Sequence, residues 1–187
     1  MMIDYNKIID MYYPEAGRLR DILITHSRLV MQRALAVCKA HPELGADCGF
    51  VEGAAMLHDI GIFKCDAPGI ACFGTEPYIC HGIIGGKLLR ELGKATAHDY
   101  EAYARVCERH TGAGISREEI ERQHLPLPLR DFLPETIEEQ IICYADKFYS
   151  KSHPDREKTY GQAEHSLERF GADGLNRFRR WHQMFEG

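Results

Sequence analysis

Histidine and aspartate are the residues of this 187-residue chain whose types and spacing could do chemistry. His26 falls on the apolar stripe of Leu19, Ile22, Leu23 and Val30. His58 follows Leu57, and Asp59 follows His58. His81 precedes Ile84, Leu88 and Leu92 by three, seven and eleven residues. His110 follows Tyr103, Val106 and Cys107 by seven, four and three. Asp146 shares a helical face with Ile142 and Tyr149. Helical spacing thus aims these side chains at an apolar interior. A buried carboxylate is costly unless paired or bound to a cation. Imidazoles and carboxylates facing one core therefore read as metal ligands. The set of His26, His58, Asp59, His81, His110 and Asp146 is too rich for one tetrahedral zinc with an open position. It suits two divalent ions, drawn from Fe, Mn, Co, Ni and Zn, with one Asp bridging at about 3.5–4 Å separation.

Satisfied core histidine is the alternative for any one of these residues, but it fits poorly for four on different helices. His98-Asp99 is an internal control, because there Asp99 only compensates a helix N-terminus. His41, His124, His153, His165 and His182 lie in loops or polar surroundings and read as structural.

Helices must position the set. Apolar periodicity predicts helices over 17–40, 47–60, 77–93 and 97–110. Asp47 is the N-cap of the second, Gly61 its stop, and Pro77 lies near the start of the third. Thr136-Ile-Glu-Glu139 is a capping box that opens a helix through Ile141, Ile142, Ala145 and Tyr149. Two more are expected near 156–169 and 172–185. No segment alternates long enough to read as a strand. Two long connectors remain, 61–76 and 111–135, the second holding a short helix after the capping box Ser116-x-x-Glu119. They read either as borders of a functional site or as surface insertions.

Hydrophobic residues make up 44% and charged residues 27%. Those proportions exclude a disordered, collagenous or membrane-spanning chain. A net charge of −5 gives no basic footprint for long nucleic acid. Cys38, Cys48, Cys65, Cys72, Cys80, Cys107 and Cys143 form no Cys-x-x-Cys pair. With Asp4, Asp10 and Glu15 in the first fifteen residues there is no secretory signal, so a cytoplasmic location with free thiols is expected. Leu167, Phe170, Leu175, Phe178, Trp181, Met184 and Phe185 form a C-terminal apolar face, to be covered by the domain itself or by a second copy in a homodimer.

Met56-Leu57-His58-Asp59-Ile60-Gly61 resembles the LLHDIG-like signature of the HD superfamily. The superfamily's N-terminal His, His-Asp pair and distal Asp fall on His26, His58-Asp59 and Asp146. Its dinuclear version adds two intermediate histidines, which fall on His81 in CHGIIGGKLL and His110 in ERHTGAGIS. The segment 105–149 looks closest to small HD-domain proteins described as predicted phosphohydrolases, and is also similar to HD-type diadenosine-tetraphosphate hydrolases. The resemblance implies an all-α HD fold: a helical bundle of about five core helices plus C-terminal helices. It implies one domain over 1–187, with the core at about 20–151 and an extension at 152–187. It further implies hydrolysis of a small phosphorylated metabolite or nucleotide by a metal-activated water. Asp59 would bridge the ions and orient the nucleophile. Lys64, Arg109 and Lys147 adjoin the motifs and are the expected phosphate contacts. The link of 22 residues between His58 and His81 is longer than in many relatives. The His-His and Gly-Tyr-Pro elements of cyclic-dinucleotide phosphodiesterases are absent, which disfavours that substrate. HD-type di-iron oxygenases share the same ligand order, and some HD domains are non-catalytic nucleotide sensors. These two readings stand beside the hydrolase.

Overall fold

The computed structural model describes residues 3–154, 156–168 and 171–187. Its longest helix, α2 (Arg18–Ala40), buries Leu23, His26, Ser27, Val30, Ala34, Val37 and Cys38 at steps of three and four. That face packs on α3 (Cys48–Leu57) and on α7 (Ile137–Asp146). Helix α7 is apolar nearly all round, with Ile141 to Asp146 buried without a break. Such a helix belongs in the middle of a bundle. It touches α2, α3, α5 (Glu101–Arg109) and α9 (Ala172–Glu186). The remaining helices are α1 (Tyr5–Tyr12), α4 (His81–Thr96), α6 (Arg117–Gln123) and α8 (Tyr160–Leu167). Among the described residues the fold is all-α apart from one hairpin of two-residue strands, β1 (Asp66–Ala67) and β2 (Cys72–Phe73).

The expected helices form, with local corrections. Asp47 Oδ1 accepts the Gly49 and Phe50 amides at 2.9 and 3.0 Å, so α3 starts where its cap predicts. Both predicted capping boxes are present, at Ser116/Glu119 and Thr136/Glu139. The helix expected from 156 starts at Tyr160, because Thr159 and Gln162 make a third box. The helix expected from 97 starts at Glu101, because Ala97 turns left-handed (φ 55°) and ends α4. Pro77 opens a short 3₁₀ turn, Tyr78–Cys80, before α4. In α4 the face expected to be buried is rotated. Leu92 is buried as expected, but Ile84 and Leu88 are half-buried, while Gly82, Gly85, Gly86 and Leu89 face the core. Helix α1 was not expected from sequence; it seats Ile8 and Ile9. The hairpin in the 61–76 connector was not expected either, since two residues per strand show no alternation.

Leu167, Phe178, Trp181 and Phe185 are buried by the chain's own core. Tyr144 is the hub, with ring centroids 5.1 Å from Phe178 and 5.3 Å from Phe185. Met184 of that face is exposed, and Phe170 lies outside the described residues. All seven cysteines are unpaired. Among the described residues, no helix is long and apolar enough to cross a membrane.

Candidate metal centre

The bundle brings the six expected ligands to one place, mostly at helix ends. His26 is central in α2. His58 and Asp59 leave the end of α3, His81 begins α4, His110 follows α5, and Asp146 ends α7. Glycine allows three of these ends to meet. A Cβ on Gly61 would lie 2.4 Å from the His81 carbonyl oxygen, and one on Gly82 would lie 2.4 Å from that of Cys107. Gly61 was read as a helix stop. Its φ of −86° is ordinary, so close approach is what demands glycine there. Tyr13 Oη donates to the Ile60 carbonyl at 2.9 Å and steadies the turn behind Asp59.

Three histidines share one arrangement. Nδ1 of His58 lies 2.6 Å from the Ala55 carbonyl, Nδ1 of His81 lies 2.6 Å from that of Tyr78, and Nδ1 of His110 lies 2.8 Å from that of Cys107. A carbonyl only accepts, so each Nδ1 carries a proton, and each Nε2 presents a lone pair whenever its imidazole is neutral. Those Nε2 atoms converge. His81 and His110 bring theirs to 3.0 Å. Two facing lone pairs at that distance call for a cation between or beside them. Carbonyl contacts of this kind orient histidine ligands in metal sites.

Asp59 is fully buried and faces two ways. Its Oδ2 lies 3.2 Å from His26 Nε2 and 3.1 Å from His58 Nε2. Its Oδ1 lies 3.4 Å from both His81 Nε2 and His110 Nε2. Asp146 Oδ1 completes the first group, 2.9 Å from His26 Nε2 and 3.5 Å from His58 Nε2. Two groups able to hold metal ions result: His26, His58, Asp59 and Asp146; and Asp59, His81 and His110. Both Asp59 oxygens and His58 Nε2 are buried without a directed hydrogen bond. Such atoms are costly unless something else satisfies them. The donors and their orphaned atoms fit divalent ions.

The electrostatics agree with this division. Burial opposes charge on His58, but Asp59 and Asp146 outweigh it and push the imidazole up to about 9. Burial and the neighbouring His110 push His81 down to about 3. Burial raises the Asp59 carboxyl, yet His58 and Lys151 prevail and hold it well below the usual carboxylate range. Asp146 is held down the same way against burial, chiefly by Lys147.

The cluster opens onto a cavity of about 490 Å³ whose wall includes Tyr78, Lys147, Tyr149, Lys151 and Lys158. Of the three expected phosphate contacts, the structure brings only Lys147 there. Its Nζ lies 2.6 Å from Asp146 Oδ2 and donates to the His110 carbonyl at 3.0 Å. Lys64 is exposed, with its Nζ 5.2 Å from the Phe63 ring centroid. Arg109 turns the other way and holds Glu139, Glu135 and the Leu133 carbonyl. Sequence reasoning missed Lys151, whose Nζ lies 2.6 Å from Asp59 Oδ2, and Tyr78, whose ring stacks on His81 at 4.7 Å. Tyr78 carried a signal, because it stands three residues before a ligand, as Ala55 and Cys107 do. His98 stays outside the cluster, exposed. His182, read as structural, meets the Tyr144 hydroxyl at 2.8 Å and stacks on Tyr160 at 3.8 Å.

Comparisons with known proteins place this geometry. Over 130 residues the chain is 37% and 34% identical to tRNA (cytidine(56)-2'-O)-methyltransferases of Picrophilus torridus and Thermoplasma volcanium. Each match covers 70% of this chain but 32% of the relative, so the chain spans about a third of their length. It is 36% identical over 126 residues to an uncharacterised protein of Methanocaldococcus jannaschii, covering 66% of this chain and 64% of that one. Its fold is similar to the crystal structure of the L. monocytogenes phosphodiesterase PgpH HD domain in complex with cyclic-di-AMP. That match has a TM-score of 0.51 and 14% identity, and covers 99% of this chain and 98% of the other. A family model described as HD domain matches residues 23–150, which include all six candidate ligands. On that match, the chain belongs to the HD domain family.

Proposed function

We propose that this chain is a metal-dependent phosphohydrolase acting on a small phosphorylated metabolite or nucleotide. One observation carries the reading. A single buried carboxylate, Asp59, divides its two oxygens between two ligand groups beside a lysine-lined cavity. His26, His58, Asp59 and Asp146 would hold one divalent ion, and Asp59, His81 and His110 a second. Such ions supply a nucleophilic water at neutral pH and offset phosphoryl charge. The chain's own residues do the rest. Carbonyls of Ala55, Tyr78 and Cys107 fix three imidazoles in the ligating tautomer. Asp59 orients whatever lies between the two groups. Lys147, Lys151 and Lys158 give the cavity wall positive charge suited to phosphoryl oxygens. The same lysines favour an anionic substrate, as a phosphohydrolase needs. The transferase activity named for the two longer relatives is a property of chains about three times the matched length.

The test is phosphate release from a panel of nucleotides and sugar phosphates with Mn²⁺, Co²⁺ or anaerobic Fe²⁺. Release is expected with wild type and is expected to vanish in Asp59→Ala. No release with any metal would refute the proposal and turn attention to iron-dependent oxygen uptake.

A further inference from the structure

Lys151 is a half-buried cation whose contact with Asp59 the reading above leaves unexplained. It lies beyond the end of α7, in the turn around residues 150–152. Its Nζ is 2.6 Å from Asp59 Oδ2, the oxygen on which His26 and His58 also converge. The contact is one of charge, since neither Asp59 oxygen accepts a directed hydrogen bond. Lys147 pairs with Asp146 in parallel. Two ammoniums therefore face two carboxylates in a nearly closed site. A divalent ion added with both ammoniums in place would leave a buried excess of positive charge, which low-dielectric surroundings penalise heavily.

One ammonium can leave more easily than the other. Lys147 is also tied to the His110 carbonyl at 3.0 Å. Lys151 has no backbone carbonyl tie of that kind among the described residues; beside Asp59 it meets Tyr78, with 5.9 Å from Nζ to the ring centroid, and feels the charge of Asp146. It also stands where two cavities meet, the one of about 490 Å³ over the cluster and one of about 390 Å³ against Ala67, Pro68, Gly69 and Ile70. Lysine is a point charge on a flexible stem and suits such a move. We infer that Lys151 is a displaceable internal cation, which holds Asp59 until a divalent ion takes Oδ2 and then swings into the larger cavity to meet a phosphoryl oxygen. The inference rests on the metal-centre reading. It goes beyond that reading by giving one residue alternating partners. Loading the centre would thereby also arm the substrate cavity.

Mn²⁺ affinity of the metal-stripped protein tests the first half. Lys151→Met keeps the length of the side chain and removes its charge. Tighter Mn²⁺ binding, by about tenfold or more, is expected, together with a lower melting temperature of the metal-stripped form. Lys151→Arg keeps the charge and should leave affinity near or below wild type. Unchanged or weaker binding by a folded Lys151→Met protein would overturn the inference and make Lys151 a permanent partner of Asp59. Wild-type protein supplies a measurement that does not depend on the variant folding. Acetylation of Lys151 by an amine-reactive ester, mapped by mass spectrometry, should rise when Mn²⁺ is added. It should fall again when inorganic phosphate follows. Labelling indifferent to Mn²⁺ overturns displacement, and labelling indifferent to phosphate overturns the phosphoryl contact. The two readings fail separately. Wild type that binds Mn²⁺ while Lys151 stays put refutes this inference alone, whereas wild type that binds no Mn²⁺ refutes both.

Discussion

Loading the centre with a divalent ion should expel one proton from His58. In the metal-free cluster this imidazole is raised to about 9 by Asp59 and Asp146, against its burial. At pH 7 it therefore carries its second proton. An ion needs its neutral Nε2, so the proton must leave. The cost grows with each unit by which pH lies below 9 and is of the order of a few kcal/mol at pH 7. Asp59 and Asp146 are already ionised and His81 and His110 are held neutral, so they add no proton at this pH. His58 should then make ion affinity rise about tenfold per pH unit from pH 7 towards 9. Calorimetric titration of the metal-stripped protein with Mn²⁺ at pH 7.5, in buffers of different ionisation enthalpy, counts the protons directly. The reasoning requires His58 to supply about one proton per first ion. Binding with no proton released, and an affinity flat from pH 7 to 8.5, would refute it.

Other consequences can be checked on stability and activity. His81 is lowered to about 3, below its unfolded value near 6.5, so the unfolded chain binds the extra proton in that window. Metal-stripped protein should hold this contribution above pH 6.5 and lose a few kcal/mol as pH falls towards 3, read by denaturant titration. A melting curve insensitive to acid down to pH 4 would contradict it. Gly82→Ala forces a Cβ to 2.4 Å from the Cys107 carbonyl. It should cost about 1–3 kcal/mol and weaken ion binding at the His81–His110 group; a melting temperature equal to wild type would show that α4 and α5 can part freely. Lys64→Ala should leave phosphate release within about twofold of wild type, while Lys147→Ala should lower kcat/KM by about tenfold or more, the worth of one charge-assisted contact. The reverse ranking would put the substrate on the wrong side of the hairpin.

The ligand set was legible because each member breaks an apolar stripe with a side chain that water would otherwise keep. Helical periodicity then fixes where such a residue points. The same logic explains what could not be read. Arg109 adjoins His110 in sequence, but neighbours on a helix point about 100° apart, and Arg109 ends on Glu139. Adjacency to a ligand is thus an uneven guide: it places Lys147 on the cavity but not Arg109. Lys151 sits beyond the last turn of α7, where no period applies, and its direction is set by the turn. Gly61 and Gly82 are spacers between helix ends, a tertiary role invisible to local turn rules. The buried face of α4 was misjudged because glycine contributes nothing to an apolar stripe, yet it is what lets α5 approach.

Asp59 would serve two ions at once. Titrating metal-stripped protein with Mn²⁺, and following it by electron paramagnetic resonance, tests this most directly. Two ions per chain with an exchange-coupled spectrum are expected for wild type, and at most one uncoupled ion for Asp59→Ala. A wild type that binds no ion, or an Asp59→Ala protein that still binds a coupled pair with undiminished affinity, would contradict it.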